Sequence, residues 1–377
     1  MKHHSSLLQR FSRREFLRDT SLGLAGVAAS GGILGMGITS AQAQESGKKL
    51  GFALVGLGSL STNQIAPALQ KTRLCRLAGI VTGTPAKAKT WSEKYNIPEK
   101  NIYNYQTYDK IAENPDIDVI YVVLPNSMHP EYTVRAAQAG KHVLCEKPMA
   151  NSASECEQMI AACKSANRKL AIGYRCQFEP HHRECMRMAR EKVFGDIKII
   201  EAGFGFRIGD PSQWRLKKAM AGGGALMDVG IYALQACRFI TGEEPNYVSA
   251  TETKTDPVKF KEVDESIGWG MKFPSGIIAN CSTNYIVNGI NRYWVGAEKG
   301  WFGLDPAYSY GGITGRSSKA EISFPQIDQF AAEMDDFADC ILNNRPSRVP
   351  GEEGLRDLRV VEAVYQSIAT GRAVTLT

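Results

Sequence analysis

Residues Lys49–Ser61, KLGFALVGLGSLS, join a short apolar run to a glycine-rich turn. The run Lys49–Gly56 has the length and composition of a strand buried inside a parallel sheet. Helical spacing follows in Ser61–Thr72, where the apolar side chains share one face. Gly56 permits a tight turn, and Gly58 allows the backbone to approach a phosphate group at the start of a helix. The stretch therefore predicts a strand, a phosphate-binding turn and a helix.

The alternation of apolar strands and helices continues to Gly173. Further strands are predicted at Leu77–Thr82, Val119–Leu124, His142–Cys145 and Leu170–Gly173. Helices are predicted at Pro85–Tyr95, Pro130–Ala139 and Ser152–Ala166. Alternating strands and helices require a parallel sheet with helices on both faces. We therefore expect an α/β fold that begins with a Rossmann domain, a doubly wound parallel sheet, over residues 44–170.

The end of the second predicted strand indicates which dinucleotide binds. In NAD enzymes an acidic residue at this place binds the ribose 2′-hydroxyl. Here the strand ends Val81-Thr82-Gly83-Thr84, without a carboxylate, and Lys87 and Lys89 follow. Hydroxyl groups and a lysine suit a 2′-phosphate through charge-assisted hydrogen bonds, so we predict NADP. The alternatives are a plain strand–helix turn without a nucleotide, and lysines that are ordinary solvated helix residues.

After Gly195 the pattern changes to period-two strands separated by turns. Strands are predicted at Ile197–Arg207, Asn246–Thr255, Ser266–Phe273, Gly276–Tyr285 and Tyr293–Gly300. Helices are predicted at Gly224–Thr241, Phe330–Asn343 and Glu352–Thr370. Residues 171–377 are therefore expected to form an α+β domain with a large, open, mainly antiparallel sheet. Its last two helices are expected to pack back against the first domain.

Two short segments carry candidate catalytic residues. The segment EKP at 146–148 follows a predicted strand at the carboxyl edge of the sheet, where ligands bind. In Gly222–Tyr232, three glycines open a helix, and Asp228 and Tyr232 stand four residues apart on one helical face. A carboxylate and a phenol in this arrangement can both meet the hydroxyl groups of a sugar. Taken alone, the first segment is also typical of a surface turn, and the second of an amphipathic helix with a buried tyrosine.

The sequence resembles the Gfo/Idh/MocA family of oxidoreductases. The resemblance rests on three segments that occur in this order: the glycine turn, EKP and GGGALMDVGIY. The resemblance covers the chain from Gly51 to the C terminus. It is closest to the glucose–fructose oxidoreductase branch, which has tyrosine at the position of Tyr232, where most of the family has histidine. The most specific segments are Leu124–Ser127, Gly140–Met149, Gly173–Cys176, Gln213–Leu216, Leu226–Tyr232 and Pro350–Gly354.

The resemblance implies catalytic roles for Lys147, Asp228 and Tyr232. An aldose would be oxidised to its lactone, with Tyr232 accepting the hydroxyl proton and Asp228 orienting the sugar or the lysine. Tightly bound NADP would then be reoxidised by a second sugar. The resemblance also implies a homodimer or homotetramer, formed through the open face of the second sheet. Cofactor contacts are implied for Gly56, Leu57, Gly58, Ser59, Leu60, Thr82, Gly83, Lys87, Tyr105, Leu124, Pro125, Asn126, His129, Glu146, Lys147, Arg175, Trp214, Arg215 and Tyr310.

Three other functions stay open at this point. The chain is also compatible with an NADP-dependent aldose dehydrogenase of glucose or xylose type that exchanges its cofactor. An exported NAD-dependent glycosidase and a non-catalytic sugar sensor are the others, because a fold does not determine a function. The joint presence of Lys147, Asp228 and Tyr232 favours an enzyme over a sensor.

Gln44–Lys48 is shorter than the arm with which the glucose–fructose branch embraces its cofactor or a neighbouring subunit.

The first 43 residues have the pattern of a twin-arginine export signal. Ser12–Leu17, SRREFL, contains paired arginines, a weakly apolar stretch follows at Thr20–Gln44, and Ala41-Gln42-Ala43 is a small-x-small cleavage site. A membrane-spanning helix or a disordered tail is the alternative, but the glycines disfavour a stable span. We therefore expect a periplasmic protein that uses the twin-arginine export machinery and has no stable membrane anchor.

The composition bears on several other classes of function. The 377-residue chain has 22% charged residues and a formal charge of +6 without a basic run, so no nucleic-acid partner is expected. An odd number of cysteines, nine, without a C-x-x-C pair argues against a disulfide framework or a zinc site. No metal site is expected, and His181-His182 is expected to begin an exposed helix. Burial is expected for Cys145, Cys163, Cys237 and Cys281.

Overall fold

Two sheets organise the residues that the computed structural model describes, 49–376. The strands of the first are β1 (Leu50–Val55), β2 (Cys75–Val81), β3 (Ile102–Tyr103), β4 (Val119–Val122), β5 (His142–Glu146) and β6 (Leu170–Gly173). All pairs are parallel, and the order is β3-β2-β1-β4-β5-β6. Because the order reverses beside β1, the carboxyl ends of β1 and β4 open a crevice for a ligand. This architecture confirms the predicted doubly wound sheet.

The second sheet is larger and mainly antiparallel, as predicted. Its strands are β7 (Ile197–Gly205), β8 (Tyr247–Thr253), β9 (Ser266–Lys272), β10 (Ile278–Asn284), β11 (Ile290–Ala297), β12 (Gly300–Leu304), β13 (Gly315–Ser317), β14 (Glu321–Ile322) and β15 (Val374–Thr375). The order is β14-β13-β12-β11-β7-β10-β9-β8-β15. Only β7 and β10 pair in parallel among these strands of residues 49–376.

Helices connect and cover the sheets. They are α1 (Ala66–Leu69), α2 (Pro85–Tyr95), α3 (His129–Gln138), α4 (Ala153–Ser165), α5 (Pro180–Arg190), α6 (Lys218–Ala221), α7 (Ile231–Thr241), α8 (Gln329–Leu342) and α9 (Gly351–Thr370). π-Helical turns precede two of them, Ser61–Ile65 before α1 and Leu226–Gly230 before α7. The first helix ends before the predicted Thr72, because the hydroxyl of Thr72 donates to the carbonyl oxygens of Leu69 and Cys75 and closes the turn.

A carboxylate from a distant strand connection caps the segment that leads into α7. Asp264 accepts hydrogen bonds from the N–H groups of Gly224 at 2.6 Å and Leu226 at 2.8 Å. A Cβ atom at position 224 would meet the Asp264 carbonyl oxygen at 2.0 Å, so only glycine fits there. The hydroxyl of Tyr365, on α9, donates to the same carboxylate at 2.7 Å. The position of α7 therefore depends on contacts that local sequence does not reveal.

A buried group of charges joins α7 to α9. Arg238 is 3% exposed and donates to Glu244 at 2.7 Å and to Glu353 at 2.9 Å. It also pairs with Asp357, which is fully buried and accepts a further hydrogen bond from Gln235 at 2.9 Å. Buried charges are tolerated only when they are paired and hydrogen-bonded, so these contacts fix the two helices against each other.

Both C-terminal helices contact the layer of the first sheet. Asp335 of α8 accepts hydrogen bonds from the backbone N–H groups of Arg73 and Leu74, which precede β2. Glu362 of α9 accepts one from the N–H of Ala153 at the start of α4, at 2.8 Å. These bonds satisfy backbone donors that have no partner within their own elements. The division of the chain near residue 170 stays a prediction.

The expectation that His181-His182 begins an exposed helix was wrong in one respect. The two residues do lie at the start of α5, but each is only 5% exposed. His181 Nδ1 lies 2.6 Å from the carboxylate of Glu179, and His182 Nε2 lies 2.7 Å from the carbonyl oxygen of Ala307. The second sheet covers this helix end, and Glu179 and Ala307 satisfy the polar atoms that are buried there.

The remaining sequence predictions concern the cysteines, the membrane-spanning alternative and the N-terminal segment, and the structure describes only some of these residues. All nine cysteines are buried and free, which confirms burial for the four predicted ones. Within residues 49–376, no helix has both the length and the apolar character that a membrane crossing requires. The export signal and the short segment Gln44–Lys48 lie outside the described residues.

Candidate active site

The glycine turn after β1 leaves its backbone open on the side where a phosphate is expected. Gly56 has φ +95°, and a Cβ atom there would meet the carbonyl oxygen of Val123 at 2.3 Å, so glycine is required. A Cβ atom on Gly58 would have no neighbour within 4 Å, and therefore space remains beside this backbone. Ser61 replaces the third glycine of the fingerprint and donates its hydroxyl to the Gly56 carbonyl at 2.6 Å. This bond fixes the turn against the first helical turn.

The residues predicted for the 2′-phosphate gather beside this turn. Lys87 Nζ donates to the carbonyl oxygen of Leu57 at 3.1 Å, which places the ammonium group at the glycine turn. Thr82 is buried at the end of β2, and its hydroxyl accepts a hydrogen bond from the N–H of Thr84 at 3.2 Å. The backbone of Gly83 passes the Tyr105 ring so closely that a Cβ atom would lie 3.1 Å from it. The open backbone of the glycine turn, the hydroxyl of Thr82 and the ammonium group of Lys87 together suit a dinucleotide that carries a 2′-phosphate.

His129 and Asn126 hold the loops that follow β4 and β5. His129 is 1% exposed, with Nε2 lying 2.8 Å from the Leu124 carbonyl oxygen and Nδ1 lying 2.9 Å from that of Pro148. Burial lowers the pKa of His129, and its contacts with these carbonyl oxygens act in the opposite direction. Asn126 donates to the Ala221 carbonyl at 2.9 Å and so joins the first sheet's edge to α6. His129 and Asn126 therefore hold the backbone of these two loops in place near the predicted cofactor.

The predicted catalytic lysine and aspartate meet across the two halves of the protein. Lys147 Nζ donates to the Asp228 carbonyl oxygen at 2.6 Å and lies 3.5 Å from its carboxylate. The other carboxylate oxygen accepts from Arg215 Nε and from the Tyr285 hydroxyl, each at 3.0 Å. Burial alone would raise the pKa of Asp228, but Arg215, Lys147 and Tyr285 lower it below its ordinary value. Asp228 is therefore an ionised anchor rather than a proton acceptor.

Two cations lie close to the ring of Tyr232. Lys147 Nζ is 4.7 Å from the centroid of the Tyr232 ring, and the guanidinium of Arg175 is 5.1 Å from it. Burial raises the pKa of the Tyr232 phenol above its ordinary value, and the charge of Arg175 acts in the opposite direction. Further positive charge is therefore needed before this phenol can give up its proton near neutral pH.

Arg175 is buried and ties the loop between β12 and β13, and the first residue of α8, to this site. It donates to the carbonyl oxygens of Tyr308 at 2.5 Å and Ser309 at 3.2 Å, and to the side chain of Gln329 at 2.5 Å. Its guanidinium also lies 4.7 Å from the ring centroid of Tyr310, a half-exposed side chain. Tyr310, which comes from a loop that the sequence defines poorly, is thereby brought to the predicted site.

The structure brings most predicted site residues together and adds others. Trp214 and Arg215 stack on each other, with 4.6 Å between guanidinium and ring centroid, beside Asp228. Sequence reasoning missed Tyr285, which belongs to no motif and reaches Asp228 only because β10 leads it there. It also missed Tyr121, whose hydroxyl donates to Glu146 at 2.7 Å inside the sheet. Alternation along a strand predicts burial for such residues but not their polar partners.

A separate groove of about 1350 Å³ lies on the outer face of the second sheet. None of Lys147, Asp228 and Tyr232 lines it. Its wall contains exposed tryptophans together with charged and polar side chains from neighbouring strands, including Glu201, Asn280, Arg292, Trp294 and Trp301.

Comparison with known proteins identifies the family. Residues 50–174 match the "Oxidoreductase family, NAD-binding Rossmann fold" model, residues 182–303 the "GFO/IDH/MocA C-terminal domain", and residues 308–376 the "Oxidoreductase family, C-terminal alpha/beta domain". The crystal structure of an aldose-aldose oxidoreductase from Caulobacter crescentus, complexed with glycerol, is similar over 87% of this chain and 100% of that chain, with 49% identity and a TM-score of 0.85.

Two curated relatives are named as NADP-dependent D-xylose dehydrogenases. The D-xylose 1-dehydrogenase [NADP(+)] of Haloarcula marismortui is 30% identical, over 86% of this chain and 92% of its own length. The D-xylose 1-dehydrogenase (NADP(+)) 2 of Haloferax volcanii is 27% identical, over 86% and 99%. The chain therefore belongs to the GFO/IDH/MocA family of oxidoreductases, which confirms the resemblance found in its sequence.

Proposed function

We propose that this protein is an NADP-dependent sugar oxidoreductase that oxidises an aldose to its lactone and reduces a second sugar with the same bound cofactor. The observation that carries the proposal is that the Tyr232 ring centroid lies 4.7 Å from Lys147 Nζ and 5.1 Å from the Arg175 guanidinium, beside the carboxyl edge of a Rossmann sheet. The 49% identity to an aldose-aldose oxidoreductase supports the two-sugar reaction. The NADP in the names of the xylose dehydrogenases agrees with the missing carboxylate after Val81.

When bound, NADP supplies the acceptor and later the donor of a hydride. The protein's own part is to hold the sugar and to move a proton. Tyr232 takes the proton of the anomeric hydroxyl during oxidation and returns a proton to the carbonyl oxygen of the second sugar. Lys147 and the positive charge of the oxidised nicotinamide favour the phenolate, which burial alone disfavours. Asp228, fixed by Arg215 and Tyr285, holds Lys147 and orients sugar hydroxyls.

We further propose that the protein is exported by the twin-arginine route and works in the periplasm. The support is the SRREFL segment at 12–17 and the Ala41-Gln42-Ala43 cleavage pattern. Proteins on this route cross the membrane folded, so the cofactor can be loaded in the cytoplasm and carried inside the protein. An enzyme without an external NADP supply gains from reoxidising its cofactor with a second sugar.

The outer face of the second sheet is proposed as the contact surface of a homodimer or homotetramer. Exposed apolar side chains on this face, Ile278, Trp294 and Trp301, disfavour leaving it open to water. Sedimentation equilibrium of the purified protein tests this proposal. A monomer at micromolar concentration would contradict it.

The main experiment incubates purified protein, after gel filtration, with pairs of sugars and no added cofactor. We expect bound NADP in the absorbance spectrum, and equal amounts of lactone and polyol, because the reduced cofactor is consumed by the second sugar. Product analysis by mass spectrometry provides the measurement. Loss of the nucleotide on gel filtration, with activity restored only by added NADP, would instead indicate a dehydrogenase that exchanges its cofactor.

Tyr232→Phe is expected to lower kcat by about 10²–10⁴-fold, because the variant removes the group that exchanges a proton with the sugar. The binding of NADP is expected to stay the same. Tyr285→Phe is the matched control, since it removes a phenol that only donates to Asp228, and a loss of about tenfold or less is expected. Equal turnover in wild type and Tyr232→Phe would rule out this role for Tyr232.

Lys87→Ala is expected to raise the Kd for NADP by about tenfold, because a charge-assisted hydrogen bond to the 2′-phosphate is lost. The Kd for NAD is expected to change little. Lys89→Ala is the control on the same helix, where the lysine is exposed and lies 4.0 Å from Glu93. Fluorescence titration measures both values. A similar loss for NADP and NAD in Lys87→Ala would argue against a 2′-phosphate contact.

Export is tested by fractionating cells that produce the full chain or the Arg13→Lys, Arg14→Lys variant. We expect the full chain in the periplasm, shortened by its signal, and the variant unprocessed in the cytoplasm, because the paired arginines are the recognised feature. Immunoblotting of the two fractions gives the result. Processing and export of both chains alike would contradict the twin-arginine proposal.

A further inference from the structure

Gln329, the first residue of α8, is a buried side chain to which the mechanism above gives no part. It is 3% exposed. Its side-chain oxygen accepts from Arg175 at 2.5 Å, and its amide nitrogen donates to the backbone carbonyl oxygens of Ser309 at 3.1 Å and Tyr310 at 3.4 Å. Both ends of the amide are used, and these partners fix which end faces the arginine. Gln329 thus joins Arg175 to the loop of residues 305–314, which we call the Tyr310 loop.

The Tyr310 loop is held by further buried hydrogen bonds. Asn291, on β11, accepts from the backbone N–H groups of Ala307 at 3.1 Å and Tyr308 at 2.6 Å, and its amide nitrogen donates to the hydroxyl of Ser309 at 2.9 Å. Arg175 itself donates to the carbonyl oxygens of Tyr308 at 2.5 Å and Ser309 at 3.2 Å. The guanidinium therefore cannot shift without breaking several hydrogen bonds at once.

All hydrogen-bond acceptors of Arg175 are neutral oxygens. The residue is 2% exposed, and its acceptors are two backbone carbonyls and the amide of Gln329. Within residues 49–376 no carboxylate forms an ion pair with it, although Glu146 and Glu333 act on its charge from a greater distance. Its Nε is buried without a partner. Because an arginine is seldom buried without an opposite charge beside it, this arrangement calls for an explanation.

The charge of Arg175 lies beside the ring of Tyr232. The guanidinium is 5.1 Å from the centroid of this ring. Lys147, the other cation at the ring, lies 3.5 Å from the carboxylate of Asp228, so part of its charge is already compensated. Arg175 has no such carboxylate. A positive charge at this distance, with little water to screen it, stabilises a phenolate far more than it would in water.

The remaining titratable groups around Tyr232 do not supply a positive charge. Cys176, beside Arg175, and Glu146, at the end of β5, raise the pKa of Tyr232 as burial does, whereas Arg175 lowers it. The ring centroid of Tyr310 lies 4.7 Å from the guanidinium, and its phenol can only become negative. Favourable charge at Tyr232 therefore depends on where Arg175 is held and on what holds it.

We propose that Gln329 is a positioning residue of this site, which holds the Arg175 guanidinium against the Tyr232 ring by neutral contacts and so leaves its positive charge available to the phenolate. The proposal rests on the function proposed above, in which Tyr232 exchanges a proton with the sugar. A carboxylate at position 329 would hold the arginine as firmly but would compensate its charge. A neutral amide holds the arginine without compensating it.

The first test asks whether Gln329 holds Arg175, and it needs no sugar. We expect a slowly exchanging guanidinium N–H resonance of Arg175 in NMR spectra of the wild type, assigned by its absence from Arg175→Lys. Gln329→Met keeps the volume but not the hydrogen bonds, so exchange is expected to become at least about tenfold faster. Gln326→Met, the same change at an exposed position, is the control. Equal exchange in wild type and Gln329→Met would overturn the holding role.

The second test measures the effect on Tyr232. Bound NADP is reduced by D-glucose or D-xylose in a single turnover, followed by absorbance at a series of pH values. The rate is expected to rise with pH as Tyr232 loses its proton. In Gln329→Glu the midpoint of this rise is expected about one pH unit higher, because the new carboxylate compensates the guanidinium, while the plateau rate stays within about twofold. Gln326→Glu is the matched control and is expected to leave the midpoint unchanged.

An unchanged midpoint in Gln329→Glu would overturn the proposal, even if the plateau rate falls, since a merely structural role lowers the plateau without moving the midpoint. A higher Kd for NADP with an unchanged midpoint would assign the charge of Arg175 to the cofactor and would overturn it as well. If neither sugar reduces the cofactor, the proposed function fails, while the NMR result still decides whether Gln329 holds Arg175.

Discussion

Lys147 and Asp228 meet from opposite halves of the protein, with the lysine ammonium 2.6 Å from the aspartate's backbone carbonyl and 3.5 Å from its carboxylate. Lys147 is supplied by the carboxyl edge of the parallel sheet, and Asp228 by the π turn that precedes α7. Every other feature of the site is arranged around this contact. Arg215 and Tyr285 hold the carboxylate in place, and Tyr232, on the next turn, is brought under the same ammonium group.

The contact between Lys147 and Asp228 is held in place because α7 is fixed independently at both ends. At its start, Asp264 accepts hydrogen bonds from the backbone of Gly224 and Leu226. At its far end, Arg238 is buried among Glu244, Glu353 and Asp357. Each anchor carries buried charge or buried backbone donors, and these are stable only with their partners in place. A helix held in this way can present Tyr232 with little freedom, which a proton transfer over a fixed distance requires.

Buried acids and bases around Tyr232 form a connected electrostatic system. Arg175 reaches the Tyr232 ring, the loop of Tyr308 and Tyr310, and Gln329 at the start of α8. A change of charge at any one of these groups alters the pKa of the others, because little water is present to screen them. The proposed retention of NADP adds the charge of the oxidised nicotinamide to this system in one half-reaction and removes it in the other. A redox cycle that runs on a single bound cofactor must return to the same charge after two half-reactions.

Sequence alone determined the parallel sheet, the glycine turn, the missing carboxylate beside Thr82 and the segments that carry Lys147, Asp228 and Tyr232. Local pattern is sufficient for these, since apolar periodicity and turn glycines are properties of neighbouring residues. Only the tertiary structure decided that Asp264 caps the approach to α7, that Tyr285 binds Asp228, that His181 and His182 are buried, and that Tyr121 donates to Glu146. These partners are far apart in the chain and belong to no motif, and they meet because two sheets and their helices pack together and leave buried polar atoms that must find one another or remain unpaired.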